Sequence, residues 1–156
     1  MRYALLFLLS WTFVFPAQAQ ETDPPRQAQT LNAGWRYAPG PIDGADAPAF
    51  DDSDWTRVHL PHTWNAEDAF DEDDLSYRRG VGWYRRPLRV ADSLDGRRLF
   101  LYFEGANQVT DVYVNGTHVG QHIGGYTAFV YEITDLVQVG GDNTIAVRVN
   151  NEHDLD

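Results

Sequence analysis

The sequence has no cysteine and no lysine, so all 12 of its cations are arginines. Without cysteine there are no disulfides and no lipid-modified cysteine anchor. The 12 cations face 23 carboxylates, for a formal net charge of −11. Such a surface has no basic stripe to hold a phosphate backbone or an anionic bilayer, which excludes nucleic acid and membrane as expected partners. It excludes nothing about neutral ligands such as sugars. Serine is sparse, at Ser10, Ser53, Ser76 and Ser93, and none lies in a G-x-S-x-G nucleophile setting. No segment repeats at a fixed period.

Long apolar runs are also scarce, and the one at residues 4–15 is short for a bilayer. With Arg2 before it and Ala17-Gln18-Ala19 after it, the run reads as a secretory signal cut after Ala19, with a retained anchor as the alternative. The expectation is an exported protein, periplasmic or extracellular. Residues 20–30 read as a flexible lead-in, and residues 31–156 as one domain.

What the chain does have is aromatics (5 Trp, 8 Tyr and 8 Phe) and short clusters of β-branched residues, which point to an all-β fold. The organising stretch is residues 97–151. Asn115-Gly116 sits between two alternating segments and signals a two-residue hairpin turn. Closing it pairs Val114 with Thr117, Tyr113 with His118 and Val112 with Val119. The Asn115-Gly116-Thr117 sequon is therefore read as a turn, not a glycan site. Residues 144–150 alternate, with Ile145, Val147 and Val149 inward, which predicts an antiparallel sheet with one wet face. Elsewhere residues 31–37, 56–60 and 81–90 read as strands. Residues 39–49 read as a surface loop, and residues 51–55 and 133–137 as single helical turns. The sequence ends six residues beyond its last strand, so the expectation is a sandwich lacking its final strand or strands.

Most catalytic schemes fail on spacing. With 23 acidic residues a chance carboxylate pair is always available, so their number does not identify a dyad. In the acidic run 67–74, starting an EF-hand loop at Asp71 puts Ser76 where glycine is needed and Gly82 where glutamate is needed. His118 and His122 on one strand stand roughly 13 Å apart, too far to share an ion. Gly80-Val81-Gly82 opens a dinucleotide pattern, but Arg85 takes the third glycine position and a strand follows. No catalytic residue, metal or cofactor is therefore expected in the chain.

Binding remains. Aromatic rings suit the apolar faces of sugars, while amides and guanidinium forks suit their hydroxyls. The segment 76–86 supplies both, although Trp83 and Val81 also suit a core and its arginines also suit the neighbouring acidic run. Arg78 and Arg79 beside Gly80 are the leading candidates, followed by Asn65, Asn107 and Asp154 at strand ends.

Several motifs in order resemble the N-terminal sugar-binding domain of glycoside hydrolase family 2. They are Leu60-Pro61-His62-Thr63-Trp64, Gly82-Trp83-Tyr84-Arg85-Arg86, Phe103-Glu104-Gly105-Ala106-Asn107, Val112-Tyr113-Val114-Asn115-Gly116 and Gly124-Gly125-Tyr126-Thr127-Ala128-Phe129. Ile133-Thr134-Asp135 and Val147-Arg148-Val149-Asn150-Asn151 continue the series. The resemblance implies a jelly-roll β-sandwich (galactose-binding-domain-like) from a β-galactosidase- or β-glucuronidase-like enzyme. In whole family members an immunoglobulin-like domain and a (β/α)8 barrel follow, and the barrel carries the two catalytic glutamates. It further implies that the loop at Arg78–Gly80 borders the sugar pocket. The family's sugar-contacting Asp precedes a G-I-[YF]-R-[DS]-V strand, beyond the last residue here, so neither Asp154 nor Asp156 is that residue. The expected partners are a terminal β-linked sugar and those further domains. A free-standing carbohydrate-binding module, or a structural domain without sugar affinity, are the alternatives.

Overall fold

The computed structural model describes residues 26–65 and 78–152. The signal segment, the acidic run 67–74, Ser76, His153 and Asp154 lie outside the described residues. In the first unit, Met1–Thr30, residues 26–30 are exposed and without regular structure. The second unit, Leu31–Asp156, carries the sheets.

Eight strands form there: β1 (Trp35–Pro39), β2 (Thr56–Val58), β3 (Val81–Arg89), β4 (Phe100–Phe103), β5 (Val109–Val114), β6 (Thr117–Ile123), β7 (Phe129–Glu132) and β8 (Asp142–Asn150). They make a six-stranded sheet in the order β2-β1-β3-β8-β5-β6 and a two-stranded sheet, β4-β7. Every pairing is antiparallel. The fold is all-β and antiparallel, as composition and alternation predict, and it is the sandwich that the resemblance implies.

Period-2 alternation explains the core. Ile145, Val147 and Val149 of β8 point inward and are all but fully buried, with Val112 and Val114 of β5 beside them. Leu101 and Phe129 close the layer from the smaller sheet. The hairpin turns at Asn115 (φ 50) and Gly116 (φ 81), the left-handed pair that a two-residue turn of this type needs. The register departs from expectation one step later. A bulge between Val112 and Tyr113 sets Val112 opposite Gly120, not Val119. Gly120 is required there because a Cβ would stand 2.4 Å from the Tyr131 ring of β7.

Asn115 also ties the turn to its surroundings. Its Nδ2 donates to Leu136 O and to Asn143 Oδ1, both at 2.8 Å, and its Oδ1 accepts the Thr144 N–H at 2.9 Å. With every polar atom engaged, the amide acts as a structural clasp, in keeping with the turn reading of the sequon. Asn115→Ala is expected to lose about 2 kcal/mol, from unpaired partners plus an unfavourable left-handed alanine, read as a lower midpoint in urea unfolding.

Other local expectations are corrected. The first strand begins at Trp35, not Leu31, because Gly34 takes φ 81 and breaks the extended chain. Leu31 instead gives its carbonyl to the Trp35 indole N–H (2.6 Å) and to Arg86 (2.7 Å). Residues 51–55 make a turn capped by Asp51, whose Oδ1 accepts the Ser53 N–H at 3.0 Å, and not a helical turn. The larger correction concerns the face expected to be wet. The loop of residues 40–55 lies over it, and Ala45, fully buried, packs with Trp83 and Ala146. Ile42, Trp55 and Tyr113 surround that second, smaller cluster.

Candidate functional site

One end of the large sheet gathers the start of β3, the end of β8, the start of β5 and the end of β6. The pairings Val81↔Asn150, Val109↔Asn150 and Val109↔Ile123 set them side by side. Four of the sequence candidates, Arg78, Arg79, Asn65 and Asn107, lie in the loops that leave this end, while Asp154 lies outside the described residues.

Backbone bonds hold the Arg78 loop in place. The Arg78 N–H donates to Asn65 Oδ1 at 2.7 Å. Asn65 is positioned by its own N–H on Thr63 Oγ1 at 3.3 Å. Behind the loop, Asn151 acts as a clamp: its Oδ1 accepts the Gly80 N–H at 2.8 Å, and its Nδ2 donates to Arg78 O at 3.2 Å. Gly80 has φ 116, a conformation open to glycine. The loop thus spends its main chain on Asn65 and Asn151. Both arginine side chains are left exposed, with no ion-pair or hydrogen-bond partner among the described residues. The expected pairing of these arginines with the acidic run falls outside the described residues.

The sequence reading did not single out Asn151 as a site residue. Its only signal was an amide standing directly after an alternating strand, a position where side chains often bond loop backbones.

A cluster of rings supports the loop from the core side. Gly82 lets Trp64 and Tyr37 press on the strand: a Cβ there would lie 2.5 Å from Trp64 Cζ2 and 2.8 Å from Tyr37 Cε2. The Trp64 indole N–H donates to the Tyr84 hydroxyl at 2.7 Å, and His62 Nδ1 lies 2.9 Å from the same oxygen. Burial pushes the Tyr84 phenol well above its ordinary pKa and lowers that of His62, so both stay neutral. Tyr37 completes the cluster, 4.9 Å from both His62 and Tyr84 between ring centres. Burial raises its pKa, against the opposing pull of the Arg78 charge, and its hydroxyl has no partner among the described residues. The ring cluster is therefore neutral, and the exposed side chains of Arg78 and Arg79 lie on the loop that it supports.

Asn107 joins the same end from β5. The Gln108 N–H donates to Asn150 O at 2.9 Å, one residue from the Asn151 clamp. Two strand spacings separate Asn107 from the Arg79 loop, about 10 Å. Its amide is exposed and has no hydrogen-bond partner among the described residues.

Other charged groups are occupied structurally. Asp111, buried on the outer face, is held by His118 (3.1 Å), Gln121 (2.9 Å) and Arg148 (3.3 Å). Glu132 forms a two-pronged pair with Arg98, and with Thr134 this holds its carboxyl down at about 2. A cleft of about 230 Å³ contains Arg36, Asp52 and Arg85, whose charges are satisfied by one another. Among the described residues no three His, Asp or Glu gather as a metal would need, and no helix is long and apolar enough to cross a membrane.

The sequence profile of the sugar-binding domain of glycosyl hydrolases family 2 matches residues 29–155. The chain belongs to that family. It is 41% identical over 152 residues to a β-glucuronidase of Bacteroides fragilis, which uses 97% of this chain and 19% of the relative. A β-galactosidase of Thermoanaerobacter pseudethanolicus is 36% identical over 134 residues, 84% of this chain and 18% of that one. Among solved structures, the Bacteroides uniformis β-glucuronidase superposes with a TM-score of 0.76 at 43% identity, covering 81% of this chain and 15% of that chain. The family 2 domain described here therefore spans about a fifth, or less, of the length of these relatives.

Proposed function

We propose that this family 2 domain forms the sugar-gripping wall of an exported, retaining exo-β-glycosidase. The two catalytic carboxylates would stand on a (β/α)8 barrel outside this chain, with an immunoglobulin-like domain between. The domain itself performs no bond cleavage; it orients the terminal β-linked sugar and packs against the rest of the enzyme. The observation that carries this reading is the Arg78–Arg79 loop, its backbone clamped by Asn65 and Asn151 and its side chains left unpaired among the described residues. Two exposed guanidinium groups favour a sugar that bears a carboxylate, since charge-assisted bonds are the stronger ones. Glucuronic acid is thus the terminal sugar proposed. The signal-like pattern of residues 1–19, a cation, an apolar run and Ala17-Gln18-Ala19, supports export.

Titration of the chain with glucuronic acid and with galactose, followed by calorimetry, tests the reading. Saturable binding that prefers glucuronic acid is expected, and Arg79→Ala should weaken it on the order of ten-fold. No saturable binding of either sugar at millimolar concentration would leave a structural domain as the better description.

A further inference from the structure

The loop after β6 displays an aromatic ring that the site described above does not use. Tyr126 is 96% exposed, the most exposed large apolar side chain among the described residues, and Ile123 near it is 69% exposed. This is not a frayed segment. On one side, the Gly124 N–H donates to Gln108 O at 2.8 Å, with Gly124 at φ 139. On the other, Thr127 Oγ1 lies 3.0 Å from His122 Nε2, and the His122 ring stacks on buried Phe129 with centroids 4.3 Å apart. Between these anchors Gly125 is seated on Asn107: a Cβ there would stand 2.7 Å from Asn107 Oδ1. The loop backbone thus holds Tyr126 out in water, next in sequence to Gly125, which rests on the exposed Asn107 amide, a group with no hydrogen-bond partner among the described residues.

An open ring on an anchored loop, with an amide near its base, is a pairing suited to a pyranose: the ring takes the apolar C–H face, and the amide takes a hydroxyl as donor or acceptor. In the sheet order β5 stands two strands from β3 and β6 three, so Asn107 lies about 10 Å, and the loop that carries Tyr126 about 14 Å, along the sheet end from the Arg78–Arg79 loop. That is the reach of a short oligosaccharide, not of one sugar. We propose that Tyr126 and Asn107 form a second sugar subsite, which stacks a pyranose unit further along a chain whose terminal acidic sugar sits at Arg78 and Arg79. This rests on the sugar-binding reading above. It assigns the domain a preference for oligosaccharides over small glycosides.

The test compares glucuronic acid with a tetrasaccharide that ends in β-linked glucuronic acid, both titrated into the intact chain by calorimetry. The tetrasaccharide should bind about ten-fold tighter, the ratio expected of one good aromatic contact. Tyr126→Ala should abolish that advantage while leaving glucuronic acid affinity and the thermal midpoint unchanged, and Tyr126→Phe should keep it. Equal affinity of the two ligands for the unaltered chain, or a Tyr126→Ala variant that retains the advantage, would overturn the second subsite and leave the arginine site standing. If neither ligand binds the unaltered chain, the sugar-binding reading itself has failed and the subsite falls with it.

Discussion

Arg85→Ala is expected to destabilise the domain by about 3 kcal/mol, the cost of removing a buried guanidinium from its carbonyl and carboxylate partners. Arg85 is only 2% exposed, although it belongs to a residue type that is almost never fully buried without a partner. Its partners all come from the loop that covers the outer face. Nε donates to Asp52 Oδ2 at 2.9 Å, one terminal nitrogen donates to Ala45 O and the other to Phe50 O at 3.4 Å. The guanidinium also lies 5.4 Å from the centre of the Phe50 ring. Truncation would leave two carbonyls and a carboxylate without their donor. Arg36, 3.2 Å from Asp52, would keep part of that carboxylate's pairing. The loop should therefore loosen before the sheet does. Hydrogen exchange at residues 42–55 is expected to rise in the variant, with a lower urea midpoint and β8 still protected. Unchanged exchange across that loop would show that Arg85 does not hold it.

Gly82→Ala should cost about 3 kcal/mol, at the upper end of the range for overpacking, and should also weaken sugar binding. The added methyl would meet two ring edges at 2.5 and 2.8 Å, and neither ring is free to retreat. Trp64 is held by its bond to Tyr84, and Tyr37 is wedged between His62 and Tyr84. The least costly response is a shift of Trp64, which carries Asn65 with it and slackens the bond to the Arg78 N–H. Thermal unfolding should show the stability loss, and near-ultraviolet circular dichroism the altered tryptophan environment. A well-folded variant with native sugar affinity would mean that the ring cluster does not support the loop.

These two positions show where sequence reasoning stops. Gly82 entered the sequence argument in two failed patterns and one family motif, never as a packing position, because nothing nearby in the chain says that Trp64 will lie on it. Arg85 entered as one of several arginines suited to the acidic run that precedes them. Its actual carboxylate is Asp52, 33 residues away, in a segment read as a single helical turn. Asn151 was passed over for the same reason: its bonds reach back 71 and 73 residues to Gly80 and Arg78.

The alternation of β5 and β8, the Asn115-Gly116 turn and the family motifs follow from neighbours within a few residues of one another, so the sequence by itself determined the all-β class, the hairpin and the membership in family 2. Side-chain period and left-handed turn preference are local properties, legible wherever they occur. The covering of the outer face, the clamp on the Arg78 loop and the exposure of Tyr126 were decided only in the tertiary structure. Each depends on which distant segment arrives against a given strand, and packing chooses that partner by shape and by the need to satisfy buried polar groups.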